Sequence, residues 1–149
     1  MTTPASPPVF STRREIAASA EEIFAAFRDP ERFARWWGPA GFTNTFHAFD
    51  FRLGGKWSYT MHGPEGATFP NESEFAEIDP ARRLVIQHVS GPQYRLTITF
   101  TPTGHGTLVE WVQIFEHPEV AKRIAHIVTP ANEQNLDRLT AEVLARKSA

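Results

Sequence analysis

The chain has 149 residues, 41% hydrophobic and 21% charged, with a net charge of −2 and no cysteine. That length supplies one domain with a real core. The near-neutral, unblocked charge gives nucleic acid and anionic membrane no electrostatic support, and the lack of cysteine excludes disulfides, thiol catalysis and thiolate metal sites.

The first residues, "MTTPASPPVF", lack the basic start and apolar run of a secretion signal, and no apolar stretch approaches membrane length. A cytoplasmic protein is expected, with a disordered tail over 1–8 and a single domain over 9–149. "VFSTRREIA" alternates loosely and predicts a strand. Ser19 opens "SAEE", a capping-box pattern with Glu22, ahead of a short helix that carries Ile23, Phe24 and Phe27 on one face. Asp29-Pro30 starts a second helix, with Asp as N-cap and Pro at the first helical position. In "FARWWGPAGF", Phe33, Trp36 and Trp37 stand at i, i+3 and i+4 and so share a helical face. Gly38 is expected as a left-handed cap, and Pro39 stops the helix. Such a cluster either anchors the helix in the core or walls a ligand site, and the spacing favours the anchor.

From Phe42 the period changes to two. "FTNTFHAFDF" predicts a strand, Gly54-Gly55 a turn, and "KWSYTM" a strand with Trp57, Tyr59 and Met61 on one face. "GPEGATFP" is expected as a loop, and "NESEFAEI" and "RRLVIQHV" as strands joined at Asp79-Pro80. "YRLTITF" places Leu96, Ile98 and Phe100 on one side, and "TLVEWVQIF" is the last strand. The chain then returns to helix with "EVAKRIAHIV". Thr129-Pro130 signals a fresh start or a kink, and beyond it Leu136, Leu139 and Val143 form a stripe that includes Asn132 one turn earlier. Strands and helices are segregated, which predicts an α+β fold: a strongly curved antiparallel sheet packed on one long C-terminal helix, with two short helices after the first strand.

The segments "DPERFARWWGPAGF", "LGGKW", "EIDPARRLV" and "NLDRLTAEVL", in this order, resemble the activator-of-heat-shock-protein-ATPase homologue family. That family belongs to the START-like, SRPBCC helix-grip superfamily. The resemblance runs from about Val9 to the end and implies a sheet gripping the C-terminal helix around a hydrophobic cavity. Superfamily members bind lipids, sterols, polyketides and plant hormones, and some are cyclases or ring-hydroxylase subunits. The resemblance brings no catalytic motif with it. It places a tryptophan where this chain has Asn132, and a glycine where it has Ala131, which implies a larger and more polar cavity here.

The six histidines, His47, His62, His88, His105, His117 and His126, show no metal-ligand spacing, so no metal and no cofactor are expected. His88 falls with Leu84 and Ile86 on the inward face. Glu72, Glu74 and Glu77 crowd one strand, with Glu77 expected on the opposite face from the other two. No hydrolase elbow, P-loop or dinucleotide motif occurs. Alternation and the family pattern together bring Trp57, Tyr59, Met61, Phe75, His88, Leu96, Ile98, Trp111 and Gln113 inward, and Asn132 joins them from the helix. This mostly apolar lining with a few polar anchors has the make-up of a small-molecule site, although a filled core would use many of the same residues. The leading expectation is a carrier or sensor of a small apolar or aromatic ligand, without catalytic residues. An enzyme of cyclase, dehydratase or hydrolase type using His88 or Glu77 as a proton shuttle is the second reading, and a co-chaperone-like protein-binding module the third. No nucleic acid or membrane partner is expected, and a homodimer through an edge strand or the aromatic helix pair stays open.

Overall fold

The structure, a computed structural model, describes residues 8–147. The expected tail lies outside the described residues except for Pro8. Strand β1 (Val9–Ile16) leads into α1 (Ala20–Arg28), where the capping box forms in full: Ser19 Oγ accepts from Glu22 N–H and Glu22 Oε1 accepts from Ser19 N–H. Asp29 caps α2 (Pro30–Trp36) through its carboxylate, with Pro30 in the first turn. The helix ends one residue earlier than the spacing predicts. Trp37 is extended (φ −64°, ψ 136°) and Gly38 takes φ +102°, so Trp36 and Trp37 leave the chain from different backbone conformations.

Six strands follow: β2 (Thr43–Phe49), β3 (Lys56–His62), β4 (Thr68–Asp79), β5 (Arg83–His88), β6 (Tyr94–Thr103) and β7 (Gly106–Phe115). With β1 they form one curved antiparallel sheet in the order β1-β7-β6-β5-β4-β3-β2. The turn before β3 needs glycine for room: a Cβ on Gly55 would sit 1.9 Å from Asp50 O. That turn folds onto the middle of β4, where Gly54 N–H donates to Phe75 O and Phe75 N–H to Gly55 O. Thr68–Pro70, expected in a loop, open β4. Pro70 is tolerated because this part of the strand pairs with β3 while the β5 ladder begins only at Ser73.

Helix α3 runs unbroken from Pro118 to Lys147 with Pro130 inside it, rather than restarting there. His126 and Pro130 both lie on the exposed side, so the carbonyl that loses its helical donor there faces solvent. The second half buries Leu136, Leu139 and Val143 in the main core, whereas Ala121 and Val128 join a separate cluster with Phe115, Phe10, Tyr94 and Ile124. Arg14 of β1 bridges Glu133 and Asp137, Thr12 bonds Glu133, and Arg32 and Arg35 of α2 meet Glu142 at 3.1 and 2.9 Å. Among the described residues no helix is long and apolar enough to cross a membrane.

Candidate functional site

The α2–β2 loop is fastened to α3 by polar groups. Arg138 Nη1 donates to the carbonyls of Trp37, Gly38 and Pro39, and Nη2 to those of Arg35 and Phe42, at 2.8–3.2 Å. Asn135 Oδ1 accepts from Gly38 N–H at 2.8 Å, and Gln134 Oε1 accepts from Ala40 N–H. Asn44 Nδ2 adds a bond to Trp37 O at 2.7 Å. The "WWGP" and "NLDRL" segments, far apart in sequence, are thus two halves of one clasp. Its effect is to hold the Trp37 indole in the middle of the grip, against Phe33, Trp57, Tyr59 and Trp111.

Toward α1 the interior is filled by rings. Phe27 meets Trp36 edge-on at 4.9 Å and Phe100 at 5.7 Å, Phe33 stacks on Trp57 at 4.5 Å, and Trp36 Nε1–H donates to Ala26 O at 2.9 Å. The opposite end is different. Ser73, His88 and Tyr94 stand in register across β4, β5 and β6, and Tyr59 lies on the neighbouring β3. His88 stacks flat on Tyr94 at 4.5 Å; its Nδ1–H donates to Pro92 O at 2.9 Å, and its Nε2 lies 2.7 Å from Asn71 Oδ1. Burial lowers the His88 pKa, against backbone hydrogen bonds at Pro92 and Ser90 that raise it.

The Tyr59 hydroxyl faces Trp37 Nε1, the Ser73 hydroxyl and the Tyr94 hydroxyl. Burial outweighs these neighbours and pushes its pKa up to about 12. Tyr94 is raised too, by burial first and then by Tyr59 beside it. Both phenols therefore keep their protons. These groups approach without closing a network: Trp37 Nε1 and Ser73 Oγ have no hydrogen-bond partner among the described residues, and neither do the Trp57 and Trp111 indole nitrogens. A buried donor left unpaired costs roughly 1–3 kcal/mol, a cost that Trp37 Nε1 and Ser73 Oγ bring to this end and Trp57 Nε1 brings beside Phe33.

Of the residues expected to face inward, Trp57, Tyr59, Phe75, His88, Leu96, Ile98, Trp111, Gln113 and Asn132 are all buried, and Met61 is half-buried at the rim near Gly38. The structure does not gather them at one point. Phe75 and Trp57 belong to the ring-filled part, stacked at 5.9 Å, and Leu96 and Ile98 sit in the main core. Asn132 Nδ2 donates to Gln113 Oε1 at 3.0 Å, a pair of its own at the β7–α3 contact. Glu77 departs from expectation. A bulge at Ala76 shifts the register, so Glu77 pairs with Val85 and shares the outer face with Glu72 and Glu74, where it accepts from Arg83 at 3.1 Å. It cannot act on anything inside the grip. Asn71, Ser73 and Tyr94 were missed, although alternation from Phe75 and Leu96 would have found them. Trp37, expected on the helical face with Phe33 and Trp36, is buried but leaves the chain just beyond the helix. Among the described residues, no group of three or more His, Asp or Glu side chains could hold a metal.

Residues 17–143 match the family described as Activator of Hsp90 ATPase homolog 1-like protein. No curated protein sequence matches the chain. Among solved structures, a protein from Nitrosomonas europaea superposes with a TM-score of 0.86 at 21% identity, covering 95% of this chain and 97% of its own. One from Arthrobacter aurescens gives 0.85 at 24%, over 92% and 86%. An AHSA1-like protein from Aeromonas hydrophila gives 0.74 at 22%, over 94% of each chain. At these identities the likeness establishes the fold, and the match over residues 17–143 establishes the lineage: the chain belongs to the Activator of Hsp90 ATPase homolog 1-like family and has the START/SRPBCC helix-grip fold.

Proposed function

We propose that the protein binds a small apolar or aromatic molecule inside the grip, at the end bounded by Trp37, Tyr59, Ser73, His88 and Tyr94, as a carrier or sensor. The observation that carries this reading is the set of buried, unpaired polar atoms around the Tyr59 hydroxyl in a lining that is otherwise ring and hydrocarbon. A ligand atom accepting from them would recover roughly 1–3 kcal/mol for each donor satisfied, over and above the burial of its own apolar surface. The family's fold supports the same reading, since helix-grip proteins commonly bind ligands in this interior. The outward position of Glu77 leaves the catalytic alternative resting on His88 alone, and both His88 nitrogens are already engaged. Native mass spectrometry of the purified protein, followed by a thermal-shift screen of neutral aromatic and lipid-like compounds, tests the proposal. The expected result is a co-purified species or a raised melting temperature with one class. No adduct and no shift across the panel would overturn it.

A further inference from the structure

Three side chains at this end of the grip carry a proton to donate. Trp37 Nε1–H is an obligate donor, and the Tyr59 and Ser73 hydroxyls each bring a proton. The three residues are 5%, 1% and 2% exposed, and Trp37 Nε1 and Ser73 Oγ have no acceptor among the described residues. We infer that the ligand presents an uncharged oxygen acceptor, of ketone or similar type, and that Trp37, Tyr59 and Ser73 read that atom. The inference rests on the ligand-binding reading above and narrows it.

A carbonyl oxygen has two lone pairs and can accept from two of these donors at once, which no hydrocarbon can do. An ammonium would leave Trp37 Nε1–H, an obligate donor, unpaired, and none of Trp37, Tyr59, Ser73, His88 and Tyr94 carries the negative charge it would need in an apolar interior. A carboxylate would have to shed its water with no cation to meet it, which is costly in an apolar interior. Arg138, the guanidinium that reaches toward this loop, is occupied by five backbone carbonyls. Burial disfavours a positive charge on the His88 ring.

The test uses the full chain and three compounds of nearly equal shape: acetophenone, α-methylstyrene (a carbon in place of the carbonyl oxygen) and benzoate, titrated by calorimetry or ligand-detected NMR. Acetophenone should bind about tenfold more tightly than α-methylstyrene, the scale of one well-made hydrogen bond, and at least about tenfold more tightly than benzoate. Ser73→Ala removes one oxygen and should keep the near-ultraviolet circular dichroism of the parent while cutting the ketone preference to about threefold or less. Trp37→Phe and Tyr59→Phe should do the same. Equal affinity for acetophenone and α-methylstyrene, tightest binding of benzoate, or a Ser73→Ala protein with undiminished preference would each overturn acceptor recognition while leaving ligand binding in place. Failure of all three compounds to bind would overturn acceptor recognition, whereas the ligand-binding reading falls only when the native mass spectrum and the thermal-shift panel are also blank.

Discussion

Near α1, Phe27, Phe33, Trp36 and Phe100 meet ring to ring, and the Trp36 indole has its acceptor in Ala26 O. A few residues along the same strands, Tyr59, Ser73, Tyr94 and the Trp37 indole converge without closing their hydrogen bonds. The two ends differ in what fills them: rings and hydrocarbon near α1, hydroxyls and an imidazole at the other, where Tyr94 is half-buried. The filled end contributes stability through apolar burial and edge-to-face ring contacts. At the polar end the unpaired Trp37 Nε1 and Ser73 Oγ offset part of that stability.

The contrast can be broken most directly at Trp36. Trp36→Ala should cost about 3–5 kcal/mol in urea unfolding, because the surrounding rings cannot collapse into the space of an indole. A loss below about 1 kcal/mol would mean that the filled end is not what holds the fold. Arg138→Ala should follow at about 2–3 kcal/mol, since the clasp consists of charge-assisted bonds to carbonyls that have few other partners. Tryptophan emission should shift to the red as Trp37 loosens, and Arg138→Lys should recover only part of the loss, because an ammonium lacks the planar fork.

A finer cut separates unmet from met polar burial. Asn132→Leu should cost about 1–3 kcal/mol by stranding Gln113 Oε1, whereas the double variant Asn132→Leu/Gln113→Leu should return close to the parent. A double variant worse than the sum of the singles would show that the amide pair supports more than itself. The smallest effect is expected at Glu142. Burial alone would raise its carboxyl, but hydrogen bonds and charge from Arg35 and Arg32 hold it below the ordinary carboxylate value. Its contribution is therefore present above that value and lost as pH falls through the depressed folded-state pKa. The melting-temperature difference between the parent and Glu142→Gln should be largest near neutral pH and should shrink below about pH 4.

Element order and the inward faces of the strands were readable because the period of two is strict where one face is buried: Trp57-Tyr59 and Leu96-Ile98 point as alternation requires. The errors fall where one residue interrupts a period. The bulge at Ala76 turns Glu77 outward, which no local composition announces. Trp37 fits the helical spacing yet lies just beyond the helix, because the carbonyls there are taken by Arg138 a hundred residues later in the chain. Pro130 sits inside a helix because tertiary packing on both sides outweighs one lost backbone bond. The polar end was half readable: His88, Gln113 and Asn132 stood out as polar residues on apolar faces, while Ser73 and Asn71 passed as ordinary strand residues. That the Ser73 and Trp37 donors lack partners is a matter of distances, which a sequence does not contain.

Pro130 carries one more consequence. It removes a donor from the ladder of α3 at the point where the helix passes from the small cluster around Phe115 and Val128 to the main core around Leu136 and Leu139. The two halves should then open as separate units joined end to end. Deuterium should enter the backbone amides of 122–129 through small excursions of that half alone, and those of 133–143 only when the whole domain opens. The protection profile along this single helix would thus show a step at Pro130, with the fast-exchanging side lying beside Tyr94.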